Sequence, residues 1–377
     1  MRIVDTTLFY TQASGGVRTY IDSKRAALLR HPGIGHKVVY PGPRAHFDGD
    51  FIQLPAINLP MAPGFRFPVR VPLWGSVMAG LQADIIEAGD PYTPAWAAQR
   101  AARLLDVPVV GFYHSDLLTL IHNRVSRFLD SSTRLYINRL YEGFDLVLSP
   151  SRVMAAQLHS CGIGDVHVQP LGVDLTAFHP DRCKQDARRV LGIEEGKPLL
   201  VFAGRGTQEK NIPVLLEAMR DLGADYHLLL IGTGLQHDAP DNVSVIDQFQ
   251  PATEVAGWMA AADALVHAGD QETFGLVALE GMACGLPVVC VEAGALPEVV
   301  PEHCGRRVAP NSGPAMARAV RDLFEQADPK AMGRAARAYV EQHHSWDVVV
   351  NNLLGHYRRL LGGRGQAPLA RTHETHS

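Results

Sequence analysis

Short apolar runs alternate with amphipathic helical stretches along most of the chain, and this alternation restricts the possible folds more than any other feature. The runs typical of strands lie at residues 3–4, 37–40, 51–54, 84–87, 108–113, 146–149, 166–169, 199–203, 227–231, 243–246, 264–267, 287–291 and 307–308. Helical stretches between them include residues 16–30, 212–221, 254–262 and 276–284. Parallel sheets covered by helices have this pattern. It predicts an α/β protein with doubly wound sheets.

The length of 377 residues fits two domains of roughly 100–200 residues each. Residues 170–180 read Pro-Leu-Gly-Val-Asp-Leu-Thr-Ala-Phe-His-Pro, which is typical of a connector. We therefore expect one domain over residues 1–170, a second over 171–345, and a final segment over 346–377 that ends in a mobile tail. Ligands of doubly wound sheets bind beyond the carboxyl ends of the strands. Two facing sheets thus predict one shared site in a cleft between the domains.

Charge and composition exclude several classes of protein. The formal net charge of −4 argues against a generally basic nucleic-acid binder, so we expect no nucleic-acid partner. Five cysteines without a Cys-x-x-Cys pair favour a reducing compartment. Asp5 interrupts the apolar core that a signal peptide needs, and no apolar run approaches the ~20 residues of a membrane span. We expect a cytoplasmic protein, with peripheral attachment to the inner face of a membrane as the alternative.

The most informative segment begins at Glu272 and reads Glu-Thr-Phe-Gly-Leu-Val-Ala-Leu-Glu-Gly-Met-Ala-Cys-Gly-Leu-Pro. It follows a predicted strand and opens a predicted helix, on which Glu280 lies about two turns further along. The amides of Phe274, Gly275 and Leu276 at the helix start can bind an anion or a hydroxyl-rich ligand. Glu272 and Glu280 offer acceptors for different hydroxyl groups of one ligand. Taken alone, the spacing also fits an ordinary helix with an acidic first turn.

Two other loops follow predicted strands and carry groups suited to phosphate. One contains Gly204, Arg205 and Lys210, whose two cations can neutralise a diphosphate. The other contains Gly15 and Gly16, where the lack of side chains lets backbone amides approach a phosphate. Each loop by itself also fits an ordinary turn. Their order relative to the segment that begins at Glu272 favours a function.

Polar side chains also follow the apolar strand at residues 108–113. His114 stands at the end of this strand and Asp116 two residues later. A solitary histidine at a strand end is more often structural than catalytic, but the polar neighbours favour a function here. Asp116 can form a hydrogen bond with a second substrate.

Two common nucleotide-binding motifs are absent. The strand at residues 227–231 is followed by a glycine-containing turn in which His237 replaces the third glycine of the dinucleotide fingerprint. Lys197 follows a glycine but precedes a proline, so no P-loop is present. A dehydrogenase or an ATPase is therefore disfavoured.

Taken together, the motifs resemble those of the retaining nucleotide-sugar glycosyltransferases of the GT-B fold, in particular family four. The segment from Glu272 matches that family's signature almost throughout, and the connector matches its Pro-x-Gly-Val-Asp…Phe-x-Pro pattern. The resemblance covers most of the chain, with the more specific motifs in the second half. It implies two facing Rossmann-like domains with an interdomain cleft. It also implies a last helix, around residues 346–361, that crosses back to the N-terminal domain.

The resemblance implies roles for single residues. Glu272 would bind the hydroxyls of the donor sugar and Glu280 the ribose of the nucleotide, while Asp116 is a candidate contact for the acceptor. The implied catalytic residues are His114, Arg205, Lys210 and Glu272. The implied donor-binding residues are Gly15, Gly16, Gly204, Phe249, Phe274, Gly275, Leu276 and Glu280. No carboxylate pair is predicted to act as nucleophile and acid.

The expected activity is therefore transfer of a hexose of mannose or glucose type from a nucleoside diphosphate sugar to a hydroxyl of a glycan or glycolipid. Such a reaction belongs to cell-envelope or polysaccharide biosynthesis. We expect retention of configuration, no metal and no cofactor, because two cations can replace a divalent ion beside the diphosphate. Two alternatives remain open at this stage. They are a sugar-nucleotide epimerase of the same fold and a non-catalytic relative that only binds nucleotide sugars.

One basic and aromatic region admits two interpretations. Residues 117–142 carry four arginines among leucines and aromatic residues, namely Arg124, Arg127, Arg134 and Arg139. Residues 61–74 add Phe65, Phe67 and Trp74 together with Arg66 and Arg70. The region is either a surface that rests on anionic lipid or a solvated helix beside a substrate loop.

Overall fold

The computed structural model describes residues 1–11, 15–58, 65–124, 129–235 and 238–364. Two parallel-sheet domains follow one another along the chain, which confirms the predicted fold class. Several features named from the sequence lie outside the described residues: Arg127, residues 61–64 of the aromatic segment, His237 and the predicted tail beyond residue 364.

The first domain contains an eight-stranded sheet and a separate two-stranded hairpin. Its strands are β1 (Arg2–Thr6), β2 (Gly35–Gly42), β3 (His46–Asp48), β4 (Phe51–Pro55), β5 (Ile57–Asn58), β6 (Arg66–Phe67), β7 (Ile85–Ala88), β8 (Val109–Phe112), β9 (Leu146–Ser149) and β10 (His167–Val168). Its helices are α1 (Gly15–Leu28), α2 (Val71–Gly80), α3 (Thr93–Leu105), α4 (Leu117–Arg124), α5 (Asp130–Tyr141) and α6 (Arg152–Ser160). The large sheet has the order β10-β9-β8-β7-β1-β2-β4-β3 and is parallel except at β3.

The second domain contains a six-stranded parallel sheet of order β13-β12-β11-β14-β15-β16. These strands are β11 (Leu199–Ala203), β12 (His227–Gly232), β13 (Val243–Asp247), β14 (Ala264–His267), β15 (Val288–Val291) and β16 (Gly305–Val308). The helices from here to the end are α7 (Ala187–Val190), α8 (Ile212–Leu222), α9 (Ala252–Ala261), α10 (Leu276–Ala283), α11 (Leu296–Val299), α12 (Gly313–Glu325), α13 (Pro329–His343) and α14 (Trp346–Arg364). Short 3-10 helices lie at Pro180–Arg182, Gln208–Lys210, Gly223–Asp225 and Glu302–Cys304.

The strand order places the ligand-binding edges of the two sheets. Strands β7, β8 and β9 of the first sheet, and β14 and β15 of the second, are buried at every position. Because helices cover both faces, these strands are mostly apolar rather than alternating, and their few polar residues lie towards their carboxyl ends. Strand order reverses beside β1 in the first sheet and beside β11 in the second. Crevices open at such points beyond the carboxyl ends of the strands. The loops that the sequence analysis singles out follow β1, β8, β11 and β14.

The two domains are joined by a pair of neighbouring segments. The predicted boundary at residue 170 falls between β10 and β11, and Val173 forms a bridge with Ser345 just before α14. The Gln169 side chain donates to the carbonyl of Val349 at 3.1 Å. Helix α14 then packs against α1 of the first domain. The chain thus crosses between the domains twice at nearly the same place.

A buried ion cluster fixes α14 to the first domain. The ammonium of Lys24 on α1 lies 2.8 Å from Asp5 of β1 and 2.5 Å from Glu87 of β7. Tyr357 of α14 donates to the other oxygen of Glu87, and His36 of β2 contacts Asp5 at 3.0 Å. Burial tends to raise the pKa of Asp5, but the charges of Lys24 and His36 outweigh it and hold that pKa below its usual value. The cluster thus carries ionised groups inside the sheet domain.

We expect Lys24→Met to destabilise the protein strongly. Removal of one partner leaves buried carboxylates without a counter-charge, which costs about 3–5 kcal/mol in comparable pairs. The control is Lys37→Met, because the ion pair of Lys37 with Asp50 at 3.0 Å is partly exposed. Its loss should cost no more than about 1 kcal/mol. Denaturant unfolding of both variants measures the two free energies. Equal losses would show that the buried cluster contributes no more than a surface pair.

Candidate functional site

The loop after β14, residues 268–275, is the centre of the site and is called the donor loop below. His267 ends β14, and its Nδ1 accepts a hydrogen bond from the amide of Gly269 at 3.1 Å. The imidazole proton therefore belongs on Nε2, which lies 3.0 Å from Oε1 of Glu272. Lys210 forms an ion pair with the same oxygen. Glu272 and Lys210, two of the predicted catalytic residues, are thus brought into direct contact.

The electrostatics of this cluster keep Glu272 ionised. Burial would raise the pKa of its carboxyl group, but the charge of Lys210 and the hydrogen bond from His267 outweigh burial and hold that pKa well below its usual value. Both contacts reach Oε1, so among the described residues Oε2 is the oxygen left for a ligand hydroxyl. The sequence analysis missed His267. A polar residue at the last position of an otherwise apolar strand was the available signal.

Backbone packing fixes the donor loop against its own domain. A Cβ atom on Gly294 would lie 2.8 Å from both the amide and the carbonyl of Glu272, so only glycine permits this approach. The next residue, Ala295, donates from its amide to the carbonyl of Glu272 at 2.9 Å. Gly275 has φ 97° and is the N-cap of α10. The sharp turn there directs the chain from the donor loop into the helix.

The start of α10 offers the predicted backbone donors. Phe274 is buried, with 4% of its surface exposed, and Leu276 is the first helical residue. The first amides of a helix have no acceptor within the helix. The positive end of the helix dipole favours a bound anion at this point. The predicted donor-binding residues of this segment therefore lie next to the carboxylate of Glu272.

The loops after β11 and β12 pack backbone against backbone. Gly204 has φ 154°, and a Cβ atom on Gly232 would lie 1.8 Å from the Gly204 carbonyl oxygen. A Cβ atom on Gly206 would lie equally close to the carbonyl of Gly234. Arg205, between these contacts, has an exposed side chain and no ion pair within the part of the chain that the structure describes. It is the cation of this region that remains available to a ligand.

Glu280 lies on α10 and differs from Glu272 in its charge. Burial raises the pKa of Glu280 to about 8. No cation within the described ranges forms an ion pair with it. At neutral pH the carboxyl group is therefore mostly protonated, so it can donate a hydrogen bond as well as accept one.

His114 lies at the ligand-binding edge of the other domain. Its ring stacks on Phe112 with centroids 3.8 Å apart and lies 4.6 Å from the ring of Tyr20. Burial and, secondarily, the charge of Lys24 lower its pKa to about 3. The imidazole is therefore neutral at physiological pH, so it can form hydrogen bonds but carries no charge.

Three other predicted site residues have different surroundings. Gly15 and Gly16 begin α1, and a Cβ atom on Gly16 would meet open space. Asp116 is engaged locally, because its Oδ1 accepts from the amide of Thr119 at 2.8 Å and from Gln157 at 2.7 Å. That carboxylate caps the start of α4 and has only its second oxygen left for an acceptor.

Aromatic contacts relate the two halves of the site. Tyr20, beside His114, packs on Trp346 at 5.6 Å. Phe274 of the donor loop contacts His344 at 5.9 Å. The predicted residues of both domains thus flank the crossing between them. Phe249, after the edge strand β13, is 77% exposed, the highest value among the exposed large hydrophobic residues of the described chain.

The expected basic and aromatic surface needs a correction. Trp74 is fully buried on α2 and donates from its indole to the carbonyl of Pro55 at 3.4 Å, so the prediction that it belongs to such a surface is wrong. Helix α2 reads Val-Pro-Leu-Trp-Gly-Ser-Val-Met-Ala-Gly, and in so apolar a helix the tryptophan packs into the core. Arg134 donates to Ser160, so it is also partly engaged. Arg139 is exposed.

The described residues contain neither a cluster of metal ligands nor a helix able to span a membrane. No group of three or more His, Cys, Asp or Glu side chains is arranged there to hold a metal ion. No helix in these ranges is long and apolar enough to cross a membrane.

Comparison with known proteins gives matches in both halves of the chain. A family model described as Glycosyltransferase Family 4 matches residues 14–177, and one described as Glycosyl transferases group 1 matches residues 184–339. A GDP-mannose-dependent alpha-mannosyltransferase of Mycolicibacterium smegmatis is 28% identical over 86% of each chain. A GDP-mannose-dependent alpha-(1-6)-phosphatidylinositol dimannoside mannosyltransferase of Mycobacterium tuberculosis is 29% identical over 90% of this chain and 92% of its own.

Solved structures show the same two-domain fold. Sucrose-phosphate synthase from Thermosynechococcus elongatus superposes with a TM-score of 0.79 at 22% identity, over 96% of this chain and 100% of its own. Anabaena HepE in complex with UDP-glucose superposes with a TM-score of 0.73 at 19% identity, over 95% of this chain and 100% of its own. Fold and family matches together define a glycosyltransferase of the GT-B fold. The chain belongs to glycosyltransferase family four, as the resemblance of its motifs predicts.

We expect the stability of wild type and of Glu280→Gln to diverge as the pH rises. Between the ordinary pKa of 4.5 and about 8, the folded protein keeps the Glu280 proton while the unfolded chain loses it. The contribution of Glu280 to the free energy of unfolding therefore falls over that interval and is constant above it. Glutamine cannot titrate, so the variant gains in Tm relative to wild type from pH 5 to 8.

Thermal unfolding from pH 5 to 9 measures this difference. Glu325→Gln makes the same substitution at the exposed end of α12 and is the control. If the Tm difference for Glu280→Gln stays constant over the whole range, the carboxyl group does not titrate near pH 8.

Proposed function

We propose that the protein is a retaining, metal-independent hexosyltransferase that moves a sugar from a nucleoside diphosphate sugar to a hydroxyl of a glycan or glycolipid. The observation that carries this proposal is the cluster at the start of α10. There an ionised Glu272, held by Lys210 and His267, lies beside the first amides of the helix. A carboxylate suits sugar hydroxyls, and the amides with nearby cations suit a diphosphate.

The proposed reaction needs no carboxylate nucleophile. The bond between the anomeric carbon and the diphosphate oxygen breaks, and the acceptor oxygen forms a bond to that carbon from the same face. The acceptor proton passes to the leaving diphosphate. Arg205, Lys210 and the amides of Phe274 and Gly275 stabilise the negative charge that develops on that group. His114 is neutral and would act as a hydrogen-bonding group near the sugar.

For the donor we favour GDP-mannose over UDP-hexoses. Two relatives that align with most of this chain are named as GDP-mannose-dependent mannosyltransferases. The solved structure with UDP-glucose is only 19% identical and supports the fold alone. The base would lie beside the loops after β12 and β13, where the exposed Phe249 ring offers a stacking surface.

We place the acceptor on the N-terminal domain. Phe9 lies at a ring distance of 5.5 Å from Phe65 and 5.6 Å from Tyr92, and all three rings are partly exposed beyond the end of β1. Such a cluster can stack on a sugar ring or hold an acyl chain. One relative is named for a phosphatidylinositol dimannoside, so a glycolipid acceptor at an anionic membrane surface is the class we favour.

The donor and acceptor classes can be tested with the purified full chain. We expect GDP-mannose, in a panel with UDP-glucose, UDP-galactose and ADP-glucose, to give the largest thermal stabilisation and to turn over with a phosphatidylinositol-linked mannoside. NMR of the product should show the anomeric configuration of the donor. Release of an altered sugar nucleotide without any acceptor would indicate an epimerase, and inversion would refute the proposed chemistry. Binding without turnover on any soluble or lipid-linked acceptor would indicate a non-catalytic relative.

The catalytic roles of the two cations give a further prediction. Arg205→Ala and Lys210→Ala should each lower kcat by ~10²–10³, because each removes a group that stabilises the leaving charge. Arg189→Ala is the control, since this arginine is 83% exposed and pairs only with Asp186. Initial rates with and without EDTA test whether the reaction needs a metal ion. Intact turnover in both variants, or activity that EDTA abolishes and Mg²⁺ restores, would contradict the mechanism.

A further inference from the structure

The donor loop is also held by the other domain. Ser151, the N-cap of α6, donates from its hydroxyl to the carbonyl oxygen of Thr273 at 2.8 Å. The same hydroxyl accepts a hydrogen bond from the amide of Met154 at 3.3 Å. It therefore connects the first turn of α6 to the donor loop. Thr273 lies between Glu272 and Phe274, at the middle of the loop that binds the donor in the proposed function.

A second contact crosses between the domains beside the first. Glu298 of α11 accepts hydrogen bonds from the amides of Arg152 and Val153 at 2.8 and 3.0 Å. These are the first amides of α6, where the helix dipole also favours a carboxylate. Glu298 lies three residues after Ala295, whose amide donates a hydrogen bond to the carbonyl oxygen of Glu272. Residues 295–298 of the second domain thus form hydrogen bonds with both the donor loop and the N-terminus of α6.

The Ser151 contact has a direct consequence for a donor-binding group. The Thr273 carbonyl and the Phe274 amide belong to one peptide unit, which is planar and trans. The two groups therefore point in opposite directions. When Ser151 holds the carbonyl, it also fixes the direction of the amide, which is one of the proposed contacts to the donor. Rotation of the domains away from each other would release this peptide and the two bonds of Glu298 together.

We propose that Ser151 and Glu298 form an interdomain latch that orients the Phe274 amide, so that the N-terminal domain sets the affinity of the second domain for the sugar nucleotide. Both are positioning residues, because they act through the donor loop and through α6. The effect on affinity rests on the proposed function, whereas the latch itself does not.

The first test uses the ligand-free full chain. In Ser151→Ala, hydrogen exchange of a peptide that spans the donor loop should accelerate several-fold, because the loop loses its contact with α6. Ser312→Ala is the matched control, since Ser312 caps α12 by accepting from the Ala315 amide at 3.2 Å, a hydrogen bond that lies within the second domain. An unchanged exchange rate in Ser151→Ala, or the same change in both variants, would overturn the latch.

The second test measures affinity by calorimetry. For GDP-mannose, or for the nucleotide sugar that turns over in its place, Ser151→Ala should weaken binding about 2–10-fold, the range for loss of one hydrogen bond. The matching nucleoside monophosphate, which lacks the sugar and the second phosphate, should bind equally to wild type and variant. Ser151→Thr keeps the hydroxyl and should restore the affinity. Glu298→Gln should give a smaller loss than Glu298→Ala, since its amide oxygen can still accept one bond.

The two tests separate the possible failures. If the wild type binds no nucleotide sugar but Ser151→Ala still accelerates exchange in the donor loop, the proposed function fails and the latch stands. If nucleotide sugars bind and the Ser151→Ala affinity equals that of Ser312→Ala, the effect of the latch on affinity is refuted.

Discussion

The way the two domains are joined depends on one buried cation. Asp5 and Glu87 are direct partners in the register of β1 and β7, and two carboxylates at that spacing repel unless a cation lies between them. Lys24 supplies it from α1, and Tyr357 donates to Glu87 from the last helix. To detach α14 would leave buried polar groups unpaired, which is costly. The C-terminal helix is therefore an integral part of the first domain, although the second domain precedes it in the chain.

This attachment limits how the domains can move relative to each other. The connector and the start of α14 run side by side, and a Cβ atom on Gly172 would lie 2.7 Å from the ring of Trp346. Within the described residues, covalent connections cross between the domains only there. A rotation that pivots about this point would change the separation of the strand edges. Ser151 and Thr273 meet at those edges, as do Glu298 and the first amides of α6. A small rotation at the pivot would be enough to break hydrogen bonds at the site.

Local patterns in the sequence predict much of this molecule, and contacts between distant segments account for the rest. Buried parallel strands are short, mostly apolar runs, so their positions and the loops after them, with Glu272 and Arg205, follow from the sequence. Strands β3, β5 and β6 were missed because two or three residues carry no periodicity. The pairing of Lys210 with Glu272 joins residues 62 positions apart, and the Ser151 contact joins residues 122 positions apart. No spacing rule connects such residues. The resemblance to the family implied roles for Lys210 and Glu272 but not their contact, and it implied nothing for Ser151.

The protonation states of the site suit a doubly anionic leaving group. Glu272 is ionised, but the charge of Lys210 balances it. Lys210 and His267 both contact the same carboxylate oxygen, Oε1. Glu280, on the same helix, has no cation nearby among the described residues, and burial keeps it mostly protonated at neutral pH. A second carboxylate charge beside a diphosphate would repel it, whereas a neutral carboxyl group can still donate to and accept from ribose hydroxyls. The burial that raises the pKa of Glu280 would therefore lower the electrostatic cost of diphosphate binding in the proposed function. Arg205, which forms no ion pair among the described residues, would then supply the charge that attracts the donor.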